Sequence, residues 1–190
     1  MTMNSKKINE ASKLLSYVLR HKPHSIGIEL DSDGWADIDQ LITGLANDDR
    51  RNINREMILA ILTSSEKKRF AISSDGQHIR ALQGHSSENV SIQHPAETPP
   101  TILYHGTATR FLKSIQQQGL ISGSRHHVHL TKDKSTALAV GQRYGKPVTL
   151  IIDSLKMHHN GLAFYLAENG IWLTTHVPPQ YIMQEQGSSI

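Results

Sequence analysis

The chain has 190 residues, of which 37% are hydrophobic and 19% charged, enough for one ordinary domain or two small lobes. It contains no cysteine, which excludes disulfides, thiolate zinc sites and a cysteine nucleophile. The formal net charge of +3 arises entirely in residues 93–190, so neither half is a broadly basic surface of the kind that binds nucleic acid non-specifically.

Apolar runs in the sequence are short. None approaches the roughly 20 residues needed to span a bilayer, and the N-terminus has no apolar signal core. We therefore expect a cytoplasmic protein with no membrane partner, and nothing in the sequence indicates an obligate protein partner.

The N-terminal half predicts three helices and a hairpin. Residues 5–21 form an amphipathic pattern, with apolar side chains at helical spacing. A short helix over 37–45 follows, and a third helix over 54–65 has Asn54 as its N-cap. Residues 67–82 alternate around an Asp-Gly turn and predict a β-hairpin. This order of elements favours a winged-helix-like lobe.

A polar stretch that contains prolines separates the two halves of the chain. It predicts a lobe over 1–92, a linker over 93–100 and a second lobe over 101–190. Alternating strands and helices with a strand-rich end make the second lobe, and the chain as a whole, α+β. The predicted elements of the second lobe are strand 101–107, helix 110–120, strand 127–131, helix 134–145, strand 147–153 and the strand-rich segment 161–177.

Basic side chains end the first helix. Arg20, His21 and Lys22 stand just before Pro23, where cations compensate the helix macrodipole and proline stops the helix. Arg20 also shares its helix face with other groups that bind phosphate oxygens, and its planar fork matches phosphate bidentately. The residues alone leave both interpretations open.

Two further arginines have the same ambiguity. Arg69 lies where the hairpin opens and fits either a solvated edge strand or a side chain directed toward the first helix. Arg143 lies near a helix end just before Gly145, where a cation commonly has a structural role.

Two His-x-Thr elements end strand-like runs, at His105/Thr107 and His129/Thr131. Paired elements of this form are typical of two-histidine phosphoesterases, in which the histidines act as acid and base. Gly106 instead favours close approach of the backbone to a ligand such as a nucleotide.

Metal binding is disfavoured by the spacing of the histidines. His127 and His129 face the same way on a strand, with His126 beside them, but a third ligand and a carboxylate are not evident nearby. We therefore predict no metal site. The sequence also has no Walker-type loop and no dinucleotide-binding glycine fingerprint.

Seven motifs occur in an order that resembles the RNA 2′-phosphotransferase family, from about Ser12 to Thr174. They are "SKLLSYVLRHKP", "IGIELDSDGWADIDQLI", "KKRFAIS", "LYHGT", "HVHLT" preceded by an arginine, "VGQRYGKPVTLIID" and "ENGIWLT". The resemblance implies a winged-helix-like RNA lobe joined to an ADP-ribosyltransferase-like NAD lobe.

The resemblance also assigns roles to residues. It implies a catalytic set of Arg20, His21, Arg69 and Arg143, and an NAD-binding set of His105, Gly106, Thr107, His129 and Thr131. The family more often has serine at the position of Thr131, a change that keeps the hydroxyl. Arg125, His126 and His127 receive no role.

The reaction implied by the family consumes NAD and acts on RNA that carries a 2′-phosphate, such as a tRNA. The phosphate attacks the nicotinamide ribose to give an RNA-2′-phospho-ADP-ribose intermediate. A ribose hydroxyl then attacks phosphorus, which releases 2′-OH RNA and ADP-ribose 1″,2″-cyclic phosphate. We hypothesise that His21 is the general acid of this second step. The alternatives are a metal-independent two-histidine phosphoesterase, a non-catalytic RNA-binding protein and an ADP-ribosyltransferase of other phosphorylated ends.

Overall fold

A computed structural model describes residues 5–46, 53–64, 68–86 and 89–184 of the chain. The chain divides into two compact units, Met1–Gln93 and His94–Ile190. The described residues form six α-helices and four small antiparallel sheets, which confirms the predicted α+β class.

Three helices and three strands make up the described part of the first unit. In chain order they are α1 (Ser5–His21), β1 (Trp35–Asp37), α2 (Ile38–Leu45), α3 (Arg55–Ser64), β2 (Phe70–Ile72) and β3 (His78–Ala81). Asp37 caps α2 by accepting a hydrogen bond from Gln40 N, and Asn54 Oδ1 accepts one from Met57 N at 2.8 Å, as an N-cap does. Ser65 and Lys67, at the ends of predicted elements, lie outside the described residues.

The sheet of the first unit has the order β1-β3-β2. β2 and β3 form the predicted hairpin, in which Phe70 pairs with Ala81. β1 adds a third strand, with Trp35 opposite Arg80. We did not predict this strand, because three residues are too few for an alternating pattern to be recognised.

Apolar residues of the helices and the hairpin form the core of the first unit. Leu15 and Leu19 of α1, Leu41 of α2, Ile58 of α3 and Ile79 of β3 are fully buried. α1 packs against both α3 and β3.

The second unit contains the remaining helices and strands. In chain order they are β4 (Leu103–Ala108), α4 (Leu112–Gln118), β5 (Leu120–Ile121), β6 (Val128–Leu130), α5 (Lys134–Gly141), β7 (Pro147–Ile152), α6 (Ser154–His159), β8 (Tyr165–Leu166), β9 (Trp172–Thr174), β10 (His176–Val177) and β11 (Ile182–Gln184).

Three sheets organise the second unit, with the orders β11-β7-β4, β6-β9-β8 and β10-β5. Their apolar faces share one core, in which Leu103, Leu150, Ile152 and Phe164 are almost completely buried. α5 packs against β4 and β7. We did not predict α6, because six residues capped by Asp153 show too little helical periodicity.

Candidate functional site

Arg20 and His21 are the last two residues of α1, and both side chains are half-buried. Lys22 N still donates to Val18 O at 3.2 Å, and Pro23 then begins a 3₁₀ turn. The predicted helix end is therefore confirmed. Because the last carbonyls of a helix carry partial negative charge, the position also suits these two basic side chains electrostatically.

The segment Gly84–Ser86 runs along this helix end. Ser86 N donates to Arg20 O at 2.9 Å, and Ser86 Oγ lies 3.0 Å from His21 Nδ1. A Cβ placed on Gly84 would lie 3.7 Å from both Cδ and Nη1 of Arg20, so the arginine side chain passes close to the glycine. The segment thus contacts both basic residues.

Arg69 stands at the open end of the hairpin. Its carbonyl accepts a hydrogen bond from Leu82 N at 3.0 Å, one step beyond the Phe70–Ala81 pair. Its partner Leu82 is only two residues from Gly84. The strand end that carries Arg69 and the helix end that carries Arg20 therefore adjoin the same short stretch of chain.

In the second unit, the two His-x-Thr elements lie side by side. Tyr104 and Thr131 form an antiparallel bridge, with backbone hydrogen bonds of 2.8 and 3.0 Å. His105 Nδ1 lies 3.0 Å from His129 O. Since a carbonyl oxygen only accepts, His105 Nδ1 carries the proton and donates it in this bond.

The environment of His105 favours a neutral ring. Burial lowers the pKa of His105 below its ordinary value, the hydrogen bond to His129 O opposes this, and the positive charge of Arg125 lowers the pKa further. With its proton on Nδ1, the neutral ring presents Nε2 as a hydrogen-bond acceptor. An acceptor of this kind suits a ribose hydroxyl.

Gly106 is required by packing within the protein. A Cβ on Gly106 would lie 1.7 Å from Ala137 O of α5, far inside any tolerable contact. Gly141 is similar, since its Cβ would lie 2.4 Å from Thr107 O. The α5 backbone occupies the side of Gly106 on which a Cβ would lie, and the two glycines let this helix lie directly on β4.

Thr131 and Asp133 start α5. Thr131 Oγ1 accepts from Asp133 N at 3.1 Å, and Asp133 accepts from the backbone N–H of Ser135 and of Thr136. Hydrogen bonds lower the pKa of Asp133 to about 2. The largest contribution comes from the Thr136 side chain and the next from the Ser135 side chain. The hydroxyl and the cap thus fix the beginning of the helix that packs on β4.

Arg143 lies in a 3₁₀ turn, Gln142–Tyr144, directly after α5, and it is exposed. Gly145 follows with φ of +132°, a conformation that favours glycine. The predicted location at a helix end before Gly145 is therefore confirmed. Of the predicted catalytic set, Arg143 belongs to the second unit, whereas Arg20, His21 and Arg69 belong to the first.

His126 and His127 lie on the approach to β6. Burial lowers the pKa of His127, and the neighbouring His126 lowers it further. The ring of His127 contacts the ring of Tyr165 edge to face, with centroids 5.7 Å apart. Among the described residues, no group of three or more His, Asp or Glu side chains is arranged to hold a metal ion.

The predicted NAD-binding residues include groups that suit a dinucleotide. Neutral His105 accepts through Nε2, and Thr131 keeps a hydroxyl proton while Oγ1 accepts from Asp133 N. Arg143, which belongs to the predicted catalytic set and not to this one, has an exposed guanidinium, the group that pairs best with phosphate oxygens. Thr107 is 5% exposed, and a buried side chain of this kind helps a ligand mainly by positioning the strand.

Ser86 is the residue of this region that sequence reasoning missed. It was placed in the polar segment that leads to the linker, and its contact with His21 spans 65 positions of the chain. No local pattern reports a contact of that range, so only the folded arrangement reveals it.

Comparison with known proteins gives one family. The sequence pattern of "RNA 2'-phosphotransferase, Tpt1 / KptA family" matches residues 6–176. A probable RNA 2′-phosphotransferase of Pseudomonas fluorescens is 56% identical over 95% of this chain and 98% of its own length. Proteins of the same description from Pseudomonas aeruginosa and Pectobacterium carotovorum are each 54% identical, over 96% and 95% of this chain and 100% and 96% of their own.

Within the described ranges, no helix combines the length and the apolar character that crossing a bilayer requires.

Proposed function

Because the chain belongs to the RNA 2′-phosphotransferase, Tpt1 / KptA family, we propose that it transfers an internal RNA 2′-phosphate to the ADP-ribose portion of NAD. The protein is thus a transferase, and the observation that carries the proposal is the family match over residues 6–176. NAD is a co-substrate that the reaction consumes.

In this proposal, one unit binds the RNA and the other binds NAD. The first is a winged-helix-like RNA lobe over 1–92, supported by its order of three helices with a three-stranded antiparallel sheet. The second is an ADP-ribosyltransferase-like NAD lobe over 101–190, joined by the linker 93–100. The substrate is RNA with a 2′-phosphate, of which a spliced tRNA is the family example.

Three arginines hold the 2′-phosphate. A phosphate dianion needs fixed positive charge before it can approach the pyrophosphate of NAD, and the guanidinium forks of Arg20, Arg69 and Arg143 supply it. Held in line with the anomeric carbon, the phosphate reacts as an oriented neighbour. The Arg20 side chain passes close to Gly84, at a position where the chain leaves room for it.

The NAD-binding residues are those of the two His-x-Thr elements. His105 accepts a hydrogen bond from a ribose hydroxyl through Nε2, and Thr131 contributes its hydroxyl. His129 supports His105 through its carbonyl, at 3.0 Å from Nδ1. Gly106 and Thr107 set the position of β4 against α5.

The second step requires charge stabilisation and a proton. A ribose hydroxyl attacks phosphorus and releases its proton to solvent, while the same arginines stabilise the charge on the phosphoryl oxygens. The bond from phosphorus to the RNA 2′-oxygen breaks, and that oxygen takes a proton from His21 as general acid. The products are 2′-OH RNA and ADP-ribose 1″,2″-cyclic phosphate.

Omission of NAD tests the proposal. RNA with one internal 2′-phosphate is incubated with the protein, with and without NAD, beside a matched RNA that has a terminal phosphate instead. We expect loss of the 2′-phosphate only with NAD. Dephosphorylation without NAD would support a phosphoesterase, and faster modification of the terminal phosphate would support an ADP-ribosyltransferase of RNA ends.

A further inference from the structure

The hydroxyl of Ser86 is placed to control the ring of His21. We propose that Ser86 is a positioning residue, which accepts a hydrogen bond from His21 Nδ1–H and thereby makes Nε2 the nitrogen that gives its proton to the RNA 2′-oxygen. This inference rests on the proposed function, in which His21 is the general acid of the second step.

The contacts of Ser86 permit this direction of the hydrogen bond. Ser86 Oγ lies 3.0 Å from His21 Nδ1 and 3.5 Å from Arg20 O. The hydroxyl can donate to Arg20 O, which only accepts, and in that arrangement an oxygen lone pair faces Nδ1. Nδ1 then carries a proton in this arrangement.

The backbone holds Ser86 in this position independently of its side chain. Ser86 N donates to Arg20 O at 2.9 Å, and this bond persists when the hydroxyl is removed. Gly84, with φ of +86° and close to the Arg20 side chain, turns the chain toward the helix end. The segment therefore holds the backbone of Arg20 and places Ser86 Oγ beside the His21 ring.

The hydrogen bond from His21 Nδ1–H to Ser86 Oγ suits the proton transfer of the second step. When Nε2 of a doubly protonated His21 gives up its proton, the neutral ring must keep the proton on Nδ1. A hydroxyl that accepts from Nδ1–H fits both the charged ring and this product, so the ring does not have to turn during the transfer. Catalytic histidines are commonly oriented by a third group in this way.

Removal of the Ser86 hydroxyl tests the inference through the rate of the second step. In Ser86→Ala, we expect single-turnover conversion of isolated RNA-2′-phospho-ADP-ribose to slow about tenfold, typical of one lost hydrogen bond to a functional group. The first step and the KM for NAD should change less than about twofold. Ser86→Thr keeps the hydroxyl and should retain most of the wild-type rate.

A matched control removes a hydroxyl beside the same helix end. Ser25 Oγ donates to Lys22 O at 2.6 Å and contacts neither Arg20 nor His21 in any hydrogen bond of the described residues. Ser25→Ala should leave both steps at the wild-type rate. If Ser86→Ala behaves like Ser25→Ala, or slows both steps equally, the inference is wrong.

A spectroscopic measurement separates this inference from the proposed function, because it needs no activity. Long-range ¹H–¹⁵N NMR spectra, assigned with His21→Asn, report which nitrogen of neutral His21 carries the proton. We expect the Nδ1–H form in the wild type and a shift toward Nε2–H in Ser86→Ala. An Nε2–H wild-type ring would overturn the inference even if NAD-dependent transfer is observed.

Discussion

Arg143 differs from the other proposed phosphate ligands because it follows a helix that packs on β4 and is itself exposed. We expect Arg143→Ala to slow the second step by about 10²–10³-fold, typical of a lost donor to developing negative charge. The RNA-2′-phospho-ADP-ribose intermediate should then accumulate, which gel electrophoresis of labelled RNA detects. Arg143→Lys should recover only part of the rate, since an ammonium lacks the planar fork.

Arg110 provides the control for Arg143. It is exposed in the same unit, and its guanidinium lies over the Phe111 ring at 4.7 Å. Arg110→Ala removes the same charge and should leave the ratio of the two step rates unchanged. Accumulation of intermediate in Arg110→Ala, or its absence in Arg143→Ala, would contradict the assignment of Arg143.

His105 makes the stability of the protein depend on pH. Its folded-state pKa is lowered, mainly by burial, whereas in the unfolded chain it titrates near its ordinary value of about 6.5. Below about pH 6.5 the unfolded state therefore binds a proton that the folded state does not. We therefore expect the free energy of unfolding to decrease as the pH is lowered through that range. The contribution of this residue is at most about 1.4 kcal/mol per pH unit.

His105→Asn should reduce this slope, because the amide still donates to His129 O but does not titrate. Urea unfolding between pH 5 and 8 measures the effect. His127, whose pKa is also lowered by burial, contributes a slope of the same sign that should remain. The exposed His176 of the same unit provides the control, because His176→Asn should leave the slope from His105 in place. A wild-type slope in His105→Asn would refute the proposed neutral ring.

At the scale of elements, the contact between α5 and β4 depends on two glycines. Gly106→Ala places a methyl group 1.7 Å from Ala137 O, so helix and strand must separate. We expect a loss of about 3 kcal/mol or more in the free energy of unfolding, at the upper end of overpacking effects. Chemical denaturation measures it directly.

Gly170→Ala is the comparison for Gly106→Ala. Gly170 has φ of +78°, but its Cβ would meet nothing within 4 Å. Backbone strain alone should then cost about 1–2 kcal/mol. If Gly106→Ala unfolds like the wild type and only binds NAD more weakly, the glycine serves ligand approach, as its sequence context had suggested.

The elements show which features a sequence can predict. Helix α1, its end at His21 and the hairpin were predicted because periodicity, a proline and an Asp-Gly turn are local signals. β1 and α6 were missed because they are too short for a period to appear. Ser86 and the α5 contact at Gly106 depend on residues that are distant in sequence, so no local pattern contains them.

At the scale of the whole molecule, the net charge of +3 is small for a protein of 190 residues, so the proposed function relies on a few cations at particular positions. Each unit presents its own arrangement: basic residues around one helix end in the first, and a neutral histidine with a hydroxyl in the second. The proposed function takes phosphate contacts from the basic residues of the first unit and from Arg143 of the second, and NAD contacts from the second unit.

The fate of the phosphorus atom is the sharpest test of the proposed transfer. RNA with a ³²P-labelled internal 2′-phosphate is incubated with the protein and NAD, and the labelled products are separated and identified. We expect the label to leave the RNA as ADP-ribose 1″,2″-cyclic phosphate, in amounts equal to the nicotinamide released. Label recovered as inorganic phosphate, without release of nicotinamide, would contradict it.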